Sequence, residues 1–187
     1  MKFIRLEKLK MKIRDITLTA LFSALVCIGA FIKIPIPALP ITMQVFFVLL
    51  AGMLLGSKRG ALSILVYMFL GLAGLPIFAA GGGLMYVLKP SFGYIIGFLF
   101  AAFAMGLICE KKFCLRSAII ACVVGLAIIY AFGMSYYYIM CRFVLGQAVS
   151  VSYVITYCFL TVIGGDIVSA IVAILISLRL KKISLFA

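Results

Sequence analysis

The stretch GLPIFAAGGGLMYVLKPSFGYIIGF, residues 74–98, decides how this chain is read. It interrupts a sequence that is otherwise almost wholly apolar. Gly81, Gly82 and Gly83 free the backbone to take conformations that a side chain forbids. Pro90 presets φ for a helix entry, and Lys89 places one charge beside it. Consecutive glycines followed by a helix N-terminus can present backbone N–H groups to an anion or a polar ligand. An ordinary turn between two membrane helices has the same composition, so the flanking chain has to decide between the two.

That flanking chain is 67% hydrophobic over 187 residues, with a mean hydropathy of +1.37. Average soluble chains are about half apolar, so the composition points to an all-α integral membrane protein. At about 20 residues per span, the length predicts a bundle of six transmembrane helices with short connections. The expected spans are 16–32, 44–55, 61–72, 91–108, 118–140 and 151–178. The Gly-rich stretch is then an external, partly re-entrant loop between helices 3 and 4. Such a loop is allowed at membrane depth only where protein buries it or water lines it. No soluble segment is left over, so residues 1–187 read as a single domain, with 1–15 as a basic cytoplasmic segment.

The net charge of +13 is clustered. Lys2, Arg5, Lys8, Lys10, Lys12 and Arg14 precede the first span. Lys58 and Arg59, then Lys111, Lys112 and Arg116, then Arg179, Lys181 and Lys182 follow. Six spans place all four clusters on one side, and basic loops stay in the cytoplasm. No basic patch stands apart from a span end, which argues against nucleic-acid binding. The first apolar run has a basic head but no small-residue cleavage site, and it reads as a retained helix rather than a secretory signal.

Catalytic constellations are missing from the sequence. There is no histidine, so no Ser–His or Cys–His pair exists. The cysteines at 27, 109, 114, 122, 141 and 158 form no Cys-x-x-Cys, which disfavours a metal site and suits small apolar residues in spans. Gly56-Ser-Lys-Arg-Gly60 lacks the spacing of a phosphate loop, so no ATP hydrolysis is expected here. Small residues recur one turn apart at Ala20 and Ala24, at Gly52 and Gly56, and at Gly93, Gly97 and Ala101. Such spacing lets a second helix approach closely. For Ala20 and Ala24 the partner is either another helix of the chain or a separate subunit.

The polar residues left over suggest a ligand pocket open to the outside. External loops keep only the cations Lys33, Lys89 and Arg142. Asp166 is the one acid inside a span, a costly position that is a functional candidate by default. A structural hydrogen bond to a neighbouring helix explains it equally well. Gln44 is a further polar candidate, for which bonding to loose backbone is the favoured reading. A carboxylate can accept N–H donors, and Lys or Arg can hold an acid tail. The remaining candidates are Gly81, Gly82 and Gly83 with Ser91, and the aromatic walls Phe78, Tyr86, Tyr94 and Tyr130, although aromatic residues in spans more often only pack.

These residues occur in motifs that resemble the BioY family, the biotin-binding S components of energy-coupling factor (ECF) vitamin transporters. The resemblance covers most of the chain. It lies in Pro35-Ile-Pro37 with Thr42-Met-Gln44, in 50–56, in 71–83, in Lys89-Pro-Ser-Phe-Gly-Tyr94 and onward to 98, in Tyr130-Ala-Phe-Gly133 and in Gly165-Asp166. It implies six helices, capture of biotin from outside, no enzymatic activity and no cofactor. It also implies the bacterial plasma membrane, a transmembrane T subunit docked through Ala20 and Ala24, and two ATPase subunits. Family members often read Pro-Gly-Asp-x-x-Lys in the last span. Here Gly164 replaces the proline and Ser169 stands at the lysine position. Either Lys89 or Arg142 supplies the missing cation, or the Asp166 contact is arranged differently. An S component for another vitamin is the first alternative, against which the motifs of 76–98 argue. An integral membrane enzyme or assembly factor is the second, disfavoured by the lack of a second buried acid or a metal-ligand set.

Overall fold

A computed structural model describes residues 13–34 and 40–182. The basic segment before Ile13 and the Pro35-Ile-Pro37 motif lie outside the described residues. Helix α1 is Ile13–Phe31. It leads into a two-stranded antiparallel hairpin, β1 (Lys33–Ile34) with β2 (Ile41–Thr42), in which Lys33 faces Thr42. Helix α2 is Gln44–Leu72, and a loop with a short 3-10 turn at Leu84–Leu88 follows. Helices α3 (Phe92–Lys111), α4 (Leu115–Val144) and α5 (Val151–Leu180) complete the bundle. All five helices are long and apolar enough to cross a membrane. The protein is a multi-pass, nearly all-helical membrane protein.

The six-span expectation meets these five helices in α2. The sequence predicts two spans there with a loop at 56–60. The structure keeps helical geometry throughout, except at Gly56, where φ is 81° and ψ is −177°. In a straight helix, positions 44 and 67 would lie about 35 Å apart at 1.5 Å per residue. Instead the Gln44 Nε2 donates to the Tyr67 hydroxyl at 2.7 Å. The chain therefore doubles back at one residue, and α2 is two antiparallel arms, 44–55 and 57–72. The loop at 56–60 shrinks to Gly56 because only glycine takes this φ without strain. Residues 48–57 are all buried, so the first arm runs through the middle of the bundle. A helix apolar on every side belongs there.

The reversal is held from α3. Glu110 accepts from the Ser57 backbone N–H at 2.7 Å and from the Ser57 hydroxyl at 2.9 Å. A carboxylate at the start of a helix satisfies an orphan donor and complements the helix dipole. Gly106 lies against the Gly56–Ser57 backbone so closely that a Cβ there would overlap it. Gly52 is pressed on Ala102 and Met105 of α3, and Gly97 on Ile129 of α4. The small-residue spacing read from the sequence is thus the seam along which α3 packs on α2 and on α4, the two most extensive helix contacts of the bundle.

The two ends of the bundle differ in charge. At one end Arg59 pairs with Asp15 at 2.8 Å, and the Lys181 ammonium lies 5.7 Å from the centre of the Phe113 ring. The described ends of α1, the α2 reversal, the α3–α4 connection and the end of α5 therefore share a side. Lys33 and Lys89 lie in the connections at the other end, and Arg142 in the last turn of α4. Helix α5 departs from α-geometry upstream of Gly164 and Gly165. The π-helical turn is at Thr156–Leu160, and both glycines lie in the regular helix Thr161–Leu180.

Replacing Gly56 by Ala separates a reversal from a straight helix by sign. Within a straight helix, Gly→Ala stabilises by about 1 kcal/mol. At this reversal the alanine must take a left-handed φ, and its methyl must displace Glu110. Gly56→Ala should lower stability by about 1–3 kcal/mol, read as a lower melting temperature in detergent.

Candidate functional site

At the Lys33–Lys89 end, a cavity opens between the hairpin, the loop 73–91 and helices α2 to α5. It is narrow, with a volume of about 50 Å³ open to a water-sized sphere. Pro40, Thr42, Gln44 and Val45 form one wall, Ala79 and Tyr86 the loop side. Ser91, Tyr94, Ile95 and Phe98 of the α3 entry, Ile129 of α4, and Val162 and Asp166 of α5 complete it.

The walls follow from where helices begin. Gln44 opens α2, so its side chain projects at the cavity level rather than into the lipid-depth packing. Its carboxamide is oriented on both sides: Nε2 donates to Tyr67, and Oε1 accepts from the Thr42 hydroxyl at 3.2 Å. The sequence favoured a bond to loose backbone here; the partners are two hydroxyls instead. Tyr94 lies in the first turn of α3, and its hydroxyl donates to the Cys158 carbonyl at 3.1 Å. Cys158 sits in the π-helical turn of α5, so the irregular turn and the cavity wall are tied together.

Asp166 is 2% exposed and lies among these residues. One oxygen, Oδ2, accepts from the Tyr130 hydroxyl at 2.5 Å. Its other oxygen has no hydrogen-bond partner among the described residues, and Asp166 lines the cavity. The structural hydrogen bond weighed for this acid is present. Asp166 is bonded to a neighbouring helix, and it keeps acceptor capacity toward empty space. Tyr130 itself packs edge-on against Tyr94 and Phe159, with ring centres at 6.4 and 5.0 Å. The sequence marked Tyr130 as a wall; in the structure it does not line the cavity but holds the Asp166 carboxylate that does.

The loop is held over the cavity by aromatic packing. Phe78 is 1% exposed, and its ring occupies the place where a Cβ on Gly71 would stand. It meets Tyr67 at 5.2 Å and Tyr86 at 4.5 Å between ring centres. The Gly83 N–H donates to the Gly71 carbonyl at 2.7 Å, and the Tyr136 hydroxyl donates to the Val87 carbonyl at 2.6 Å. Two ammonium groups complete the rim: Lys33 donates to the Ala79 carbonyl at 2.5 Å, and Lys89 to the Ala80 carbonyl at 2.6 Å. Lys89 also lies 5.0 Å from the centre of the Tyr86 ring.

Five of the residues singled out in the sequence thus meet at one cavity: Gln44, Tyr86, Ser91, Tyr94 and Asp166. Phe78 stands behind Tyr86, and Lys89 at the rim. Gly81, Gly82 and Gly83 are not in the wall. Gly81 and Gly83 take positive φ, 110° and 94°, so they shape the loop. Gly82 and Gly83 border a separate apolar groove with Phe69 and Leu84. Arg142 is not brought to the cavity either. Its guanidinium donates to the Tyr138 hydroxyl at 2.7 Å, one turn back in its own helix, and it borders a groove with Gln147 and Ser150. Sequence reading missed Thr42 as a wall and Tyr67 as the partner of Gln44. A tyrosine in the apolar run 61–72 was the available signal for the second.

Residues 5–185 match the BioY family. A protein of Lysinibacillus sphaericus described as a probable biotin transporter BioY is 43% identical over 171 residues, 90% of this chain and 87% of that one. The biotin transporter BioY of Thermotoga maritima is 39% identical, covering 91% of this chain and 97% of its own length. Among solved structures, the S-component for biotin from an ECF-type ABC transporter superposes with a TM-score of 0.81 at 29% identity, covering 95% of this chain and 97% of that one. With the family match running over residues 5–185, nearly its whole length, the chain belongs to the BioY family.

Proposed function

We propose that this protein is the biotin-binding S component of an ECF-type vitamin transporter, and not an enzyme. One observation carries the ligand reading: a nearly fully buried carboxylate, Asp166, borders an aromatic cavity at the end of the bundle that bears the external cations. The ureido group of biotin offers two N–H donors, and a carboxylate is an acceptor for them. Tyr86 and Tyr94 supply apolar walls for the ring system, with Ser91 and Gln44 as polar contacts. Lys89 replaces the lysine that Ser169 lacks as the cation, holding the carboxylate tail near the mouth rather than the head. Arg142 has no part in this arrangement. Phe78 and the glycines at 81–83 act on the ligand through the shape of the loop. The whole chain acts as one substrate-binding domain.

The remaining assignments extend this reading. The end carrying Arg59, Glu110 and Lys181 faces the cytoplasm of a bacterial plasma membrane, because basic loops stay inside. The cavity then opens outward. Import is driven by a T subunit and two ATPase subunits. Ala20 and Ala24 are both exposed on the outer face of α1, one turn apart, where a foreign helix can approach closely. This exposure supports docking there.

Asp166→Asn should weaken biotin binding about ten- to a hundredfold in titration calorimetry, since hydrogen bonds to a charged group contribute about 1.5–3 kcal/mol. Unaltered affinity would end the assignment of Asp166 to the ligand. The pair Ala20→Leu and Ala24→Leu should leave biotin affinity unchanged and reduce co-purification of the T and ATPase subunits. Normal assembly of the double variant would exclude this face as the docking surface.

A further inference from the structure

We propose that Lys33, in the hairpin after α1, is a second cation of the binding site, and that Lys33 and Lys89 together form a two-point clamp for the ligand's carboxylate tail. The inference rests on the ligand reading above and adds a residue, and a source of specificity for acids, to that site. Its basis is where the two ammonium groups are held. They arrive from different parts of the chain, yet they bond the carbonyls of consecutive residues, Ala79 and Ala80. Ala79 is itself a cavity wall, and Lys33 faces Thr42, another wall, across the hairpin. Two like charges are thus gathered at one edge of the mouth.

Among the described residues, no carboxylate pairs with them. The described acids are Asp15 and Glu110 at the far end and Asp166, which accepts from Tyr130. None forms an ion pair with either lysine among the described residues. Each ammonium has three donors and, among the described residues, one carbonyl partner, so donors remain for an incoming anion. A carboxylate between the two lysines relieves their repulsion and makes charge-assisted bonds that a neutral carbonyl cannot match. Because Lys33 belongs to the hairpin and Lys89 to the loop, one anion also links the two sides of the mouth. Steering of acids toward it follows from the same unbalanced charge.

The experiment compares biotin with its methyl ester, which has the same ring system and a neutral tail, on the purified full chain in calorimetry. Lys33→Gln should lower biotin affinity about fivefold, the upper range for a solvent-exposed ion pair, and change ester affinity less than twofold. Lys33→Arg should restore biotin binding, and Lys89→Gln should show the same selective loss. A Lys33→Gln loss that is equal for acid and ester would overturn the clamp, leaving Lys33 as a tie between hairpin and loop. No loss for either ligand would overturn it as well. If the unaltered protein binds neither ligand, the biotin reading itself fails, a result distinct from both.

Discussion

The reversal at Gly56, capped by Glu110, is the constraint on which the rest depends. Inside a membrane protein an unpaired backbone N–H has no water to bond, so a chain reversal without a loop needs a partner from the protein. Glu110 provides it through the Ser57 N–H and hydroxyl. Gly106 lets α3 lie directly on the turn so that the carboxylate reaches. The consequence appears at the opposite end of the bundle. Because the two arms of α2 run side by side, Gln44 and Tyr67 meet, and the first arm stands as one wall of the cavity.

The other walls show a division of labour between rigid and adjustable parts. Asp166, Tyr130 and Tyr94 are fixed by helices and by bonds to one another or to backbone. The loop side is attached differently. Phe78 seats against Gly71, but the rim is tied by lysine side chains to carbonyls, in contact with solvent. Long lysine side chains give up a neutral carbonyl for an anion at little cost, whereas buried aromatic packing resists change. On the proposed reading, such a site offers a preformed place for a polar head and an exchangeable grip for a charged tail.

The fold class was legible because span length and apolar composition leave no alternative, and because four basic clusters need one side. The small-residue spacing at Gly52 and at Gly93 and Gly97 announced the α2–α3–α4 seam. What composition could not express was conformation at a single residue. Gly56 within a basic, Gly-flanked pentapeptide reads as a loop, yet its positive φ and the distant Glu110 turn it into a hairpin without one. Within the site, an acid at membrane depth and a run of aromatic residues were visible as chemical types. Arg142 was visible too, and misled, since a cation in an external segment says nothing about which groove it borders. Its partner Tyr138 is four residues away on its own helix, a local contact that satisfies it without the cavity. The convergence of Lys33 and Lys89 on neighbouring carbonyls depends on a loop path that no spacing rule encodes.

The central claim is that this cavity holds biotin with its ureido head at Asp166 and its carboxylate at the lysine rim. A crystal structure of the purified protein with biotin tests it most directly. The account predicts ureido N–H groups within hydrogen-bond distance of Asp166, the rings between Tyr86 and Tyr94, and the tail carboxylate between Lys33 and Lys89. Biotin bound with Asp166 out of reach, or with its carboxylate innermost and its head at the rim, would contradict it.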